Sequence, residues 1–99
     1  MKILVIGKGG REHALAYACK RSALCDELIC APGNPGMAKI GECVNVKDND
    51  VEGLVALAKE RNVDLTIVGP EATLALGVVD AFKKEGLNIF GPDKKATQV

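Results

Sequence analysis

Along this chain, uninterrupted apolar runs alternate with stretches in which apolar residues recur every three or four positions. Lys2-Ile3-Leu4-Val5-Ile6 is closed by Gly7, the pattern of a strand buried on both faces. Arg11 to Arg21 then places Ala14, Leu15, Ala18 and Cys19 on one helical face and ends in Lys20 and Arg21, cations suited to the negative end of a helix dipole. Glu27 to Ala31 predicts a second short strand, and Ala31-Pro32-Gly33-Asn34-Pro35-Gly36 breaks regular structure. Glu42 to Val46 predicts a third strand, after which Asp48, Asn49 and Asp50 offer caps for a helix over Val51 to Arg61. In that helix Val51, Leu54, Val55 and Ala58 follow the i, i+3, i+4, i+7 spacing. Asp64 to Val68 is a further buried strand, ended by Gly69 and Pro70. Ala72 to Glu85 carries Leu74, Val78, Ala81 and Phe82 on one helical side, with Gly86 placed to stop it. A last strand is expected over Leu87 to Phe90, and Lys94 to Val99 reads as the first turn of another helix.

The order βαββαβαβ with short connections implies an α/β fold: an open, mainly parallel, Rossmann-like sheet with helices on both faces. In such sheets ligands bind beyond the carboxyl ends of the strands, where strand order reverses. The segments Gly7 to Glu12, Pro32 to Gly36 and Gly69 to Thr73 fall at those ends, so the site is expected there.

With 99 residues the chain has surface for a single core. Hydrophobic residues at 47% and charged residues at 26% exclude disordered and low-complexity classes. Thirteen Lys plus Arg balance thirteen Asp plus Glu, which argues against a general nucleic-acid binder. No apolar run reaches the roughly 20 residues of a membrane span or the about 7–15 of a secretory signal core, so the expected setting is cytoplasmic, without a membrane partner. Cys19, Cys25, Cys30 and Cys43 include no C-x-x-C pair and accompany one histidine, a set that reads as free thiols rather than zinc ligands.

Gly7-Lys8-Gly9-Gly10 follows a strand and opens a helix, a context in which phosphate approaches backbone N–H groups at the positive end of the helix dipole. The dinucleotide fingerprint is broken, because Glu12 stands where its third glycine belongs and Cys30 and Ala31 where its acidic residue belongs. Arg11 either adds a guanidinium to the cradle or is a solvated first-turn residue, a position where a cation opposes the dipole. His13 either makes a local hydrogen bond or takes part in chemistry. Pro32 to Gly36 is either an anion-binding nest or an ordinary turn. Glu71 either complements the dipole of its helix or accepts hydrogen bonds from substrate hydroxyls.

Three segments together resemble one family. Gly7-Lys8-Gly9-Gly10-Arg11-Glu12-His13-Ala14, Pro32-Gly33-Asn34-Pro35-Gly36 and Val68-Gly69-Pro70-Glu71, followed by Phe90-Gly91-Pro92 with Lys94, Lys95 and Ala96, are similar to the amino-terminal domain of the phosphoribosylamine–glycine ligases, the glycinamide ribonucleotide synthetases. The resemblance covers the whole chain, with one departure: Thr73 stands where the family usually has proline. It implies a pre-ATP-grasp type of domain that helps hold 5-phosphoribosylamine. The ligase joins that amine to glycine through glycyl phosphate in purine biosynthesis, and ATP and magnesium or manganese are carried by ATP-grasp domains expected to follow. By resemblance the substrate-binding residues are Gly9, Gly10, Arg11, Asn34, Pro35, Gly36 and Glu71, with no catalytic residue and no metal ligand among them, and the chain alone is expected to be an inactive part of a longer enzyme.

Two other readings compete: a dinucleotide-binding module, and an isolated domain that self-associates, for instance as a homodimer, through apolar surface or an unpaired edge strand. The broken fingerprint gives a direct test of the first. Calorimetric titration with NAD and with NADP is expected to show no saturable heat, and a micromolar dissociation constant would restore the dinucleotide reading.

Overall fold

Both faces of the first strand are apolar, and this places it at the centre of the sheet. The computed structural model describes residues 1–90. In chain order these form β1 (Lys2–Gly7), α1 (Gly10–Arg21), β2 (Glu27–Pro32), a 3-10 turn (Met37–Lys39), β3 (Glu42–Cys43), α2 (Val51–Glu60), β4 (Leu65–Val68), α3 (Glu71–Ala75), α4 (Val78–Lys84) and β5 (Ile89–Phe90). The helix expected over Lys94 to Val99, with Gly91 and Pro92, lies outside the described residues.

The sheet order is β3-β2-β1-β4-β5, and every pairing is parallel. The chain runs outward from β1 to β3, returns to β4 on the other side of β1, and so reverses between β1 and β4. Successive side chains of β1 and β2 point to opposite faces, and two cores result. Leu4, Ile6, Ile29, Ala31 and Val68 pack with Leu54, Leu57 and Ala58 of α2 and with Val78 and Phe82 of α4. Ile3, Val5, Leu28 and Cys30 pack on the other face with Ala16 of α1 and Met37 of the 3-10 turn. Cys30 is fully enclosed there, and burial pushes its thiol up to about 12, so near neutral pH it is a protonated, apolar core residue. All four cysteines are free thiols.

Turn chemistry sets two of the helix ends. Asp50 caps α2, its Oδ1 accepting from the Gly53 N–H at 3.0 Å. At the end of α4, Gly86 is left-handed at φ +74, the Leu87 N–H donates to Phe82 O at 2.9 Å and the Gly86 N–H to Lys83 O at 3.0 Å, which is the Schellman arrangement expected of a glycine there.

Four expectations change. The predicted helix over Ala72 to Glu85 is two helices, because Gly77 takes φ +82, a conformation that interrupts a right-handed helix. The inward face of α1 carries Glu12 and Ala16, with Cys19 half-buried, whereas Ala14, Leu15 and Ala18 are exposed. β3 stops at Cys43, since the Val46 N–H turns back to Val44 O at 2.8 Å instead of continuing the ladder. β5 begins at Ile89 rather than Leu87, whose N–H is already used by the end of α4. Both edge strands are two residues long among the described residues, which gives a second copy little ladder to extend.

Thr66 lies in register with Leu4, 1% exposed, and its hydroxyl has no hydrogen-bond partner among the described residues. An orphaned buried hydroxyl costs about 1–3 kcal/mol. Thr66→Val, which keeps the branched shape and removes the hydroxyl, is therefore expected to raise the urea-unfolding free energy by about 1 kcal/mol or more; a loss of stability would show that the hydroxyl is satisfied.

Candidate functional site

Because β2, β1 and β4 are neighbours, the three segments at their carboxyl ends converge. The Gly33 N–H donates to Gly7 O at 3.0 Å and the Gly69 N–H to Ile6 O at 3.3 Å, so the loops after β2 and β4 are both tied to the end of β1. The crevice lies at the point of reversal in strand order, where α/β sheets bind ligands.

The Gly7 to Gly10 turn delivers the chain into α1, with Gly9 as its N-cap and no side chain capping it. The first amides of a helix have no intrahelical acceptor, so those of Gly10 and Arg11 are available to an anion. Nothing lies within 4 Å of the place a side chain on Gly10 would occupy. Arg11 is exposed and makes no ion pair among the described residues. Arg11 and the open face of Gly10 thus lie next to each other at the start of α1. Gly9 differs, because its open side faces the Glu12 carboxylate, with Oε1 3.6 Å and Oε2 3.7 Å from the Cβ position of a substituted residue.

In the second loop Asn34 is committed to holding the site together. Its Nδ2 donates to Lys8 O at 2.8 Å, stitching this loop to the first, and its Oδ1 accepts from the Met37 N–H at 2.9 Å. One amide hydrogen and one lone pair remain for a ligand. Pro35 is exposed beside it. Gly36 is required by volume, since a side chain there would run into the His13 ring. His13, half-buried on α1, thus packs across the two glycine-rich loops.

Glu71 is the first residue of α3, exposed and without a hydrogen bond among the described residues. Thr73, the departure noted in the sequence, is buried within the same helix, so the segment is helical without the proline.

The residue that sequence reading passed over is Glu12, which entered only as a missing glycine. It is 8% exposed, and its side chain fills the space over Gly7 and Gly69 and borders Gly9. A signal was present: an acid on the third residue of a helix, with glycine closing each of the two central strands.

The described residues bring no three of His, Cys, Asp and Glu together as a metal site. A cleft of about 570 Å³ between α2 and α4, lined by Val51, Val55, Ala56, Lys59 and Ala81 among others, shares no residue with the three loops.

The family model described as phosphoribosylglycinamide synthetase, N domain, matches residues 1–99. The chain belongs to this family. Relatives named phosphoribosylamine–glycine ligase include those of Xanthomonas campestris pv. campestris, 56% identical over 101 residues, Haemophilus influenzae, 53% over 102 residues, and Caldanaerobacter subterraneus subsp. tengcongensis, 46% over 99 residues. Each alignment covers 100% of this chain but only 23–24% of the relative, so the chain spans about a quarter of the length of the curated relatives it matches. As a synthetase N domain it leaves the dinucleotide reading without support, and Glu12 gives the physical reason: its side chain occupies the volume that a dinucleotide fold leaves empty for close helix–strand packing.

The two hydrogen bonds of Asn34 yield a test of the loop junction. Asn34→Asp keeps the acceptor for Met37 but turns a carboxylate oxygen toward Lys8 O. It is expected to lower stability by about 0.5–1.5 kcal/mol in urea unfolding; unchanged stability would mean that the loops are held by their backbone bonds alone.

Proposed function

We propose that this domain holds the phosphoribosyl substrate of a phosphoribosylamine–glycine ligase, working in the cytoplasm in purine biosynthesis. The observation that carries the reading is the convergence at the strand-order reversal of an uncapped helix N-terminus and Arg11 with the loop of Asn34 and the carboxylate of Glu71. The substrate phosphate belongs with the amides of Gly10 and Arg11 and with the Arg11 guanidinium, where dipole and charge are both favourable. Glu71 repels phosphate and belongs with the ribose hydroxyls or the amine.

In the reaction this reading implies, ATP phosphorylates the glycine carboxylate to glycyl phosphate, releasing ADP. The substrate amine then attacks the acyl carbon and expels phosphate, giving the amide. ATP and magnesium or manganese fall to the ATP-grasp portions of the longer ligase, and the role left to the residues described above is to fix the position of the amine. On this reading phosphoribosylamine is the ligand that the residues of this domain hold.

In the full-length ligase, Glu71→Gln removes the charge but keeps an acceptor oxygen. A charge-assisted hydrogen bond is worth about 1.5–3 kcal/mol, so kcat/KM for phosphoribosylamine is expected to fall roughly 10–150-fold, with the KM for ATP unchanged. If Glu71 serves only the dipole of its short helix, stability falls by about 0.3–1 kcal/mol and kinetics stay wild-type. Measuring thermal stability and kcat/KM on the same variant decides between them.

A further inference from the structure

Glu12 stands apart from the other charged residues of this domain: it is 8% exposed and makes no hydrogen bond to any described residue. Its carboxylate oxygens are not among the enclosed side-chain atoms that lack a partner, so a mostly buried side chain keeps its acceptor atoms open to solvent at the crevice. Its place on the third residue of α1 offers a modest favourable interaction with the helix dipole. In that position a Glu commonly also accepts from the N–H of the N-cap residue, but the N-cap Gly9 makes no such bond here. The side chain is held by volume instead, with Gly7 and Gly69 leaving the space that it fills. Those two glycines stand at the ends of β1 and β4, which are walls of the crevice.

We propose that the Glu12 carboxylate is a binding group for the donor-bearing end of the ligand, accepting hydrogen bonds from the ribose hydroxyls or the amine of the phosphorylated aminosugar. The assignment rests on the reading of the domain as a phosphoribosyl-substrate holder. Charge fixes the orientation. A phosphate over Gly9 would face a carboxylate, whereas over Gly10 the space is open and the Arg11 guanidinium is exposed beside it. Glu12 Oε2 is turned toward Gly69, 3.1 Å from the Cβ position there, and Glu71 follows two residues later. The Glu12 carboxylate thus lies between the two strand ends, with Oε1 toward Gly7 and Oε2 toward Gly69, and together with the open Gly10 and the exposed Arg11 it gives one crevice both cationic donors and carboxylate acceptors, groups that suit a sugar with phosphate at one end and N–H and O–H donors at the other.

The test uses the full-length ligase carrying this domain and the variants Glu12→Gln, Glu12→Asp and Arg11→Ala. Glu12→Gln fills the same space without charge, and Glu12→Asp keeps the charge at the helix start but withdraws it by one methylene. Both are expected to raise the KM for phosphoribosylamine by about 10–100-fold, leaving the KM values for ATP and glycine unchanged. A wild-type KM for phosphoribosylamine in either folded variant overturns the proposal. Arg11→Ala separates the two levels of inference. If it raises that KM while the Glu12 variants do not, only the role of Glu12 fails; if none of the three changes it, the substrate-holding role of the domain fails as well. Should neither Glu12 variant fold, the Glu71→Gln protein decides. There, ribose 5-phosphate is expected to raise the melting temperature beyond an equal concentration of inorganic phosphate, and equal shifts overturn the proposal.

Discussion

Gly7 and Gly69 lack side chains where the side chain of Glu12 lies, and the loop end of the domain takes its shape from that fit. Drawing Glu12 inward fixes the rotation of α1, so that Ala16 follows one turn later into the core against Val5 and Cys30 while Ala14 and Ala18 face outward. The same rotation carries His13 over Gly36 and brings the second glycine-rich loop against the first. One polar side chain thus sets the helix register, the spacing of the two central strand ends and the seat of the Asn34 loop.

The sheet could be read from the sequence because its central strands are apolar on both faces, a pattern that few alternatives satisfy. The order of elements, the caps at Asp50 and Gly86 and the three converging loops follow from local chemistry in the same way. The face of α1 could not be read by hydrophobicity, since the side chain that turns inward is a glutamate and Leu15 is left exposed; periodicity favoured the opposite face. The break between α3 and α4 was hidden for a related reason: Leu74, Val78 and Phe82 keep helical spacing on either side of Gly77, and only the sign of its φ angle separates the two helices. The third strand was overextended because Val44 and Val46 alternate as a strand would, yet they pack against the core without pairing.

Polar groups at the two ends of the strands are used in opposite ways. At the amino ends, Arg61 bridges Glu42 at 2.7 Å and Glu27 at 3.1 Å, Lys2 lies 3.8 Å from Glu27, and the Lys2 N–H donates to the Asp64 carboxylate at 2.7 Å. Arg61 holds the Glu42 carboxyl below its ordinary range by hydrogen bonding. Each exposed pair contributes little by itself, but together they tie the starts of β1, β2 and β3 to the end of α2 and to the chain entering β4. Every charge in that network has a partner.

At the carboxyl ends the reverse holds. Arg11 occupies a first helical turn where the dipole opposes a cation, Glu12 is mostly buried with no hydrogen bond to its side chain among the described residues, α1 begins without a side-chain cap, and the Glu71 side chain makes no hydrogen bond among the described residues. Each is a small local violation of the rules that the rest of the chain obeys, and a structure assembled for stability alone would spread such violations over its surface. Here they share one crevice, at the reversal of strand order, which brings a cation and free amides together with two carboxylates. A single ligand bearing an anionic group and a cluster of hydrogen-bond donors would satisfy them together, and departures from local consistency gathered in one place are the physical ground of the proposed substrate-holding role.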